Sequence, residues 1–438
     1  MKKLSYLLFF FVFVLPISAQ TQEEQIQKSE QLLKYVIEGK GSDAFAMLNE
    51  KVRAAVSAEQ LGGMWKSLEG QFGKLKKKGE WQTNDIGGQP IIFVDLAFEL
   101  YSLRFITAFD KDGLANTIRF APSPIQASVV NVQPDTSYFK ESGIKVCTGK
   151  FELPGILCMP KVKENVPVAI LLHGSGPNDR DETIGPNKVF RDLAWGLAKE
   201  GIASIRYDKR TNIYGTRSTA EGEGLTLNSE VVDDAVSAIM LAKSLKQINP
   251  EKIYLVGHSL GAMLAPLVAT RCKQLKGIIM MSGNARSLED LLPEQVEYIT
   301  SLDGLSAEEE KQLKELKTQV ANVKKLGKRG YDSSISLPLG LPASYWKDLN
   351  TYKQTDVARK LTLPILILQG ERDYQVTMED YNMWFSVLHN RPNVTFKLYP
   401  KLNHLYREGT GKSTLSEYMK PGEMPQYVVK DIADWIKK

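Results

Sequence analysis

The sequence predicts an α/β fold: a mostly parallel sheet with helices on both faces and a helical insertion, preceded by a small α+β domain. Three observations lead there. Short, continuously apolar runs, among them Val166–Leu172, Ile253–Val256, Gly277–Ser282 and Leu363–Leu368, alternate with stretches of helical period. Strands apolar along their whole length are buried on both faces, which is the mark of a parallel sheet between two helical layers. A stretch from about residue 286 to 352 breaks that rhythm with a Lys- and Glu-rich helix over Glu308–Leu326, and reads as a lid over the C-terminal edge of the sheet. Finally, Thr21 to about Ala121 runs from helices to alternating strands, the order of an α+β unit.

Length and charge set the outer bounds. The 438 residues have room for two or three domains. A net charge of +5 is small for that length, and the lysines form no basic face interleaved with aromatics, which argues against nucleic acid as a partner. The densest basic patch, Lys74 to Lys78, reads as a solvated helix end.

In chain order, Met1 to Ala19 has two lysines, an apolar run from Tyr6 to Leu15, and Pro16-Ile17-Ser18-Ala19. This is the pattern of a secretory signal peptide cut after Ala19. The run is short for a membrane span. The expectation is an exported protein, periplasmic or extracellular, with no membrane attachment. Residues 21–121 follow as the accessory domain: an amphipathic helix on Ile26, Leu32, Leu33, Val36 and Ile37, a second beginning at Phe45, then strands at Ile91–Phe98, Leu103–Phe109 and Leu114–Phe120. The order resembles the cone-shaped nuclear-transport-factor-two-like folds. No convergent titratable residues stand out there, which favours a structural or substrate-presenting role.

Pro122-Ser123-Pro124 opens a linker over 122–141, and the main domain spans 142–438. It begins with a hairpin from Ile144 to Met159. Cys147 and Cys158 flank its centre, so a bridge between them is open, although adjacent strands rarely need one. With three cysteines, at least one thiol is free or intermolecular, and Cys272 reads as a buried thiol. No zinc-type spacing occurs, and no cofactor or metal is implied. Helices are expected around Phe190–Lys199, Ser229–Leu245, Asp380–Leu388 and Tyr427–Trp435, with strands at Ile202–Tyr207 and Val394–Tyr399.

The chemistry centres on Gly257-His258-Ser259-Leu260-Gly261, which follows a buried strand and opens a helix carrying Leu260, Met263, Leu264, Leu267 and Val268. Two glycines let strand and helix backbones pass closely, so the Ser259 hydroxyl stands above the sheet as a nucleophile. Pro266 lies inside that helix and is expected to bend it or remove a hydrogen bond. A serine nucleophile needs a base, and a carboxylate to orient the base. There are four histidines. His173 and His258 belong to the glycine motifs and His389 sits at a helix end, which leaves His404, in a loop after the last strand, as the base. Asp373, directly after the Leu363–Leu368 strand, is the carboxylate, with Asp380 and Asp290 as rivals. The oxyanion donors are the N–H groups of Leu260 and, from the His173-Gly174-Ser175-Gly176 loop, Ser175.

These motifs, together with Pro177-Asn178-Asp179-Arg180-Asp181-Glu182, Arg206-Tyr207-Asp208-Lys209-Arg210, Gly370-Glu371-Arg372-Asp373 and Asn403-His404, resemble the α/β-hydrolase superfamily. They are similar to its secreted bacterial carboxylesterases and its serine-aminopeptidase-like branch. The resemblance runs from about Ser142 to Lys438. It departs after Arg210, where the family usually has a glycine and this chain has Thr211-Asn212-Ile213-Tyr214. It implies a serine hydrolase acting on a small-molecule ester through an acyl-enzyme, with Ser259, Asp373 and His404 as triad. The alternatives are a peptidase of short or N-terminal segments, and a non-catalytic binding protein. Gly409-Thr410-Gly411-Lys412-Ser413 mimics a phosphate loop, but Tyr406 stands at the first glycine's place and no strand immediately precedes it, so a flexible loop is expected. Asp179 to Glu182 is expected to be an ion-paired loop beside the pocket.

Overall fold

The chain divides into two compact units, one up to Val129 and one from Val130. The computed structural model describes residues 21–438 apart from 55, 87–88, 100, 124–134, 162–164, 220–223, 303, 306 and 328–334. The leader over residues 1–19 and most of the linker therefore lie outside the described residues.

In the first unit, α1 (Gln22–Ile37) starts at a reciprocal cap between Thr21 and Glu24 and buries Leu32, Leu33 and Val36. Then come α2 (Gly41–Ala46), α3 (Glu50–Arg53) and α4 (Ala58–Phe72). The periodicity of α4 is diluted by Gly62, Gly63 and Gly70, which hides it in the sequence. Packing explains Gly62 alone: a Cβ there would lie 3.1 Å from the Gly39 carbonyl oxygen, and one on Gly41 would lie 1.8 Å from the Ala58 carbonyl oxygen, so α2 and α4 cross backbone to backbone, while Gly63 and Gly70 face open space. Strands β1 (Leu75–Lys78), β2 (Gln82–Ile86), β3 (Gln89–Phe98), β4 (Ser102–Phe109) and β5 (Ala115–Pro122) form an antiparallel sheet in which β3 receives both β1 and β2. The basic patch is thus a strand and not a helix end. Its lysines are solvated on a sheet edge, a common way of blunting one, and Lys76 and Lys78 pair with Glu99 and Glu30. Between β3 and β4, Asp95 faces Arg104 in register and accepts two of its N–H bonds and the Ser123 hydroxyl, which holds its carboxyl below the usual range.

The second unit is built on an eight-stranded sheet. Its members are β6 (Phe139–Thr148), β7 (Phe151–Pro160), β8 (Val166–Leu172), β11 (Ala203–Tyr207), β12 (Ile248–His258), β13 (Leu275–Met281), β14 (Ile365–Gly370) and β15 (Val394–Tyr399), and the short pair β9 (Thr183–Ile184) and β10 (Asn187–Lys188) stands apart from it. The order is β15-β14-β13-β12-β8-β11-β7-β6, parallel from β15 to β11 and antiparallel beyond. Alternate residues of one strand serve two cores: Val168, Ile170 and Leu172 pack on one face of the sheet, Ala169 and Leu171 on the other. On the first side lie α7 (Asp233–Ser244), which follows a π-helical turn at Asn228–Val232, and α8 (Leu260–Arg271), which continues through Pro266. The second side is closed by α5 (Val189–Lys199) and α15 (Gln426–Lys437).

Short α6 (Arg210–Tyr214) follows β11. The insertion after β13 comprises α9 (Leu288–Ser301), α10 (Ala307–Val323), a 3₁₀ turn at Pro338–Gly340 and α11 (Ala343–Thr351), with α12 (Gln354–Lys360) leading back to β14. Helices α13 (Met378–Leu388) and α14 (Leu415–Tyr418) complete the unit.

Two expectations change here. The hairpin turns at Gly149-Lys150, three residues earlier than a bridge requires, so Cys147 faces Glu152 while Cys158 faces Glu141, and all three thiols are free. Burial pushes the Cys158 thiol up to about 12. The loop 409–413 is tied down by the Arg372 guanidinium, which donates to the carbonyls of Thr410 and Gly411 and pairs with Glu417.

Candidate active site

Ser259 stands between β12 and α8 with φ 54° and ψ −118°, a backbone region that a residue with a Cβ rarely enters. Its neighbours force the turn. A Cβ on Gly257 would fall 2.3 Å from the Gly261 carbonyl oxygen, and one on Gly261 would fall 2.1 Å from that of Leu172, so both must be glycine for β8, β12 and α8 to converge. The Ser259 N–H donates to the Met281 carbonyl, which pins the turn to β13.

Asp373 follows the end of β14. Its Oδ1 accepts the N–H groups of Gln375 and Val376, and its Oδ2 takes the His404 Nδ1–H at 2.6 Å. His404 is held in turn by Asn403, whose side-chain oxygen accepts the N–H groups of Leu405 and Arg407. Both members of the pair are buried. The rivals have other partners. Asp380 on α13 accepts the N–H groups of Ala285 and Arg286 and pairs with the Arg286 guanidinium, and Asp290 on α9 pairs with Lys324. His389 caps its helix by a bond to the Phe385 carbonyl. His173 packs between Phe190 and Tyr207, where burial pulls it down to about 4 and keeps it neutral.

Ser259, His404, Leu260, Gly174 and Ser175 line one cavity of about 260 Å³. Its far wall is the insertion: Leu288, Leu291 and Leu292 of α9, and Leu339 at the 3₁₀ turn. Among the described residues no hydrogen bond joins the Ser259 hydroxyl to His404; such contacts are commonly long before substrate binds. Leu260 begins α8, so its N–H has no partner within the helix. Gly174 packs under the serine, with space for a Cβ only 3.2 Å from Ser259 Cβ.

Residues 187–407, which take in Ser259, Asp373 and His404, match the family described as serine aminopeptidase, S33. Esterase EstD of Thermotoga maritima is 35% identical over 395 residues, 90% of this chain and 91% of its own. The chain belongs to this α/β-hydrolase family. It is a hydrolase, and the eight-stranded sheet is the framework of that fold. Residues 29–114, within the first unit, match a family described as a protein of unknown function, DUF3887. Among solved structures, Est1E from Butyrivibrio proteoclasticus aligns over 68% of this chain and 99% of its own at 20% identity and TM-score 0.45. The esterase domain of a Rhodothermus marinus protein aligns over 68% and 97% at 16% and 0.41.

The sequence did not single out the hydrolase's second buried histidine pair. His258 Nδ1 lies 2.9 Å from Glu182 Oε2, and His258 Nε2 lies 2.9 Å from the His404 carbonyl oxygen. Ionised Glu182 and a carbonyl are both acceptors, so both ring nitrogens carry protons. Burial opposes charge on both groups; their mutual attraction overrides it, raising His258 above the ordinary histidine value and lowering Glu182 below the carboxylate value. The other Glu182 oxygen accepts the Gly174 N–H at 2.6 Å. Glu182 thereby ties together the oxyanion loop, the serine turn and the histidine loop. Two more members of its segment are ion-paired, Asp181 with Arg206 and Lys188 and Arg180 with Asp208, while Asp179 accepts the N–H and hydroxyl of Thr183. Among the described residues no group of three or more His, Cys, Asp or Glu could hold a metal ion.

Proposed function

We propose that this hydrolase cleaves carboxylic esters through an acyl-enzyme. Ser259 attacks the carbonyl carbon while His404 takes its proton; the tetrahedral oxyanion is received by the N–H groups of Leu260 and Ser175; His404 then protonates the leaving alcohol, and water repeats the sequence to release the acid. Asp373 holds His404 in the tautomer whose Nε2 is free to accept. The observation that carries the reading is the 2.6 Å Asp373–His404 bond beside a cavity that Ser259 also lines. The name of the Thermotoga relative supports an ester substrate. So does the cavity: among the described residues lining it none is Asp, Glu, Lys or Arg. An aminopeptidase must neutralise a terminal ammonium, and that wall offers no carboxylate.

Replacing Ser259 by Ala lowers kcat on short p-nitrophenyl esters by on the order of 10⁴- to 10⁶-fold with the fold intact by circular dichroism. Near-normal turnover in that variant sinks the reading. The family description keeps one rival open, peptide cleavage. Aminoacyl anilides hydrolysed faster than p-nitrophenyl esters would establish it. We also infer export with cleavage after Ala19, and an accessory domain over 21–121 linked through 122–141 to a hydrolase domain over 142–438; mass spectrometry of the mature protein checks the cleavage.

A further inference from the structure

The motif Arg206-Tyr207-Asp208-Lys209-Arg210 leaves one charge without a role in the mechanism above. Arg206 pairs with Asp181 and Glu141, Asp208 with Arg180, and Arg210 with Asp234. Lys209 differs. Its ammonium is buried, 3% exposed, and lies 2.6 Å from Glu230 Oε1 and 3.0 Å from the Gly174 carbonyl oxygen. A buried ammonium is costly to desolvate, and a fold can be stabilised as well by an apolar side chain of the same volume. What the apolar side chain cannot do is bind a carbonyl.

Gly174 is fixed from both sides. Its N–H is taken by Glu182, and its carbonyl receives the Lys209 ammonium and the Asn178 side-chain amide, the latter at 3.1 Å. Asn178 also donates to the Ser175 carbonyl, and the Lys209 N–H returns a bond to the Asn178 carbonyl. In a planar trans peptide the C=O of one residue and the N–H of the next point in opposite directions. Holding the Gly174 oxygen against Lys209 therefore turns the Ser175 N–H the other way. Charge adds to geometry, because a donor on the carbonyl polarises the peptide and makes its N–H a better donor.

We infer that Lys209 is a positioning residue of the oxyanion hole, aiming and strengthening the Ser175 N–H through the Gly174–Ser175 peptide. The inference rests on the ester-hydrolase reading, with Ser175 as a donor. It extends into the insertion as well. Tyr345 of α11 donates its hydroxyl to the other Glu230 oxygen at 2.5 Å, so the carboxylate that neutralises Lys209 is held by the segment that walls the site.

The test is Lys209→Met, with Lys209→Met/Glu230→Gln beside it so that the buried pair is removed together and no unpaired carboxylate is left to unfold the protein. On p-nitrophenyl butyrate, kcat falls by about 10²-fold in the folded variants, the size of losing one oxyanion donor, with KM within about threefold of wild type. Affinity for a trifluoromethyl ketone, which forms the tetrahedral adduct on Ser259, falls by the same factor as kcat/KM. A merely structural lysine would leave that adduct's affinity unchanged in the folded protein. A kcat within about threefold of wild type in either folded variant overturns the inference, and if Ser259→Ala is inactive in the same assay the ester-hydrolase reading still stands. Activity surviving in Ser259→Ala sinks that reading itself, and the Lys209 inference with it.

Discussion

Two buried histidine–carboxylate pairs sit side by side in this hydrolase, their rings 4.7 Å apart, and they differ in what the second ring nitrogen meets. His404 gives Nδ1 to Asp373 and turns its other edge to a cavity that Ser259 shares. His258 gives Nδ1 to Glu182 and finds a backbone carbonyl at Nε2, so both of its nitrogens are spoken for. A base requires an unoccupied lone pair at the reacting oxygen. On the function proposed above, the difference between a proton shuttle and a structural clamp lies in what the second nitrogen meets, and burial alone does not distinguish them.

The sharpest way to break this comparison is to disable each carboxylate in turn. Asp373→Asn leaves the shape intact but lets His404 adopt the wrong tautomer, and kcat is expected to drop by on the order of 10³- to 10⁴-fold with the melting temperature nearly unchanged. Glu182→Ala strands a buried cation and is expected to cost about 3–5 kcal/mol of stability by denaturant unfolding. Its kcat should fall by less, roughly tenfold, because Gly174 loses one tether and keeps Lys209 and Asn178. Equal loss of turnover in the two variants, with no loss of stability in the second, would erase the division of labour.

A smaller effect follows from pH. Glu182 titrates below its ordinary 4.5 in the folded protein, so its contribution is complete above that value and lost as pH falls through the depressed one. His258 titrates above its ordinary 6.5, so its contribution is complete below that value and lost as pH rises through the elevated one. The gap in melting temperature between wild type and Glu182→Gln/His258→Gln is therefore expected to be widest between 4.5 and 6.5 and to narrow on either side. A gap that does not vary with pH would show that the two side chains are not an ion pair.

The comparison also marks where sequence reasoning stops. Strands such as Val166–Leu172 were legible because an apolar run buried on both faces has few alternatives, and Ser259 because Gly257 and Gly261 announce a turn that only glycine permits. His404 emerged once the other histidines had structural explanations. Glu182 and Lys209 gave no such signal. Glu182 lies in a stretch that reads as an ion-paired loop and Lys209 in a motif that carries the family resemblance without a role of its own, and their burial depends on contacts with Gly174 and Glu230, which no local pattern encodes. The edge strand at Leu75–Lys78 was misread for the related reason that lysines report solvation and say nothing of backbone conformation.

The left-handed backbone at position 259 has a consequence for anyone who evolves this protein in the laboratory. A serine in that conformation carries strain of about 1–3 kcal/mol that glycine would relieve. Screening libraries for heat resistance without also assaying turnover would favour the loss of the very hydroxyl on which the proposed reaction turns, so robustness and catalysis compete at a single codon.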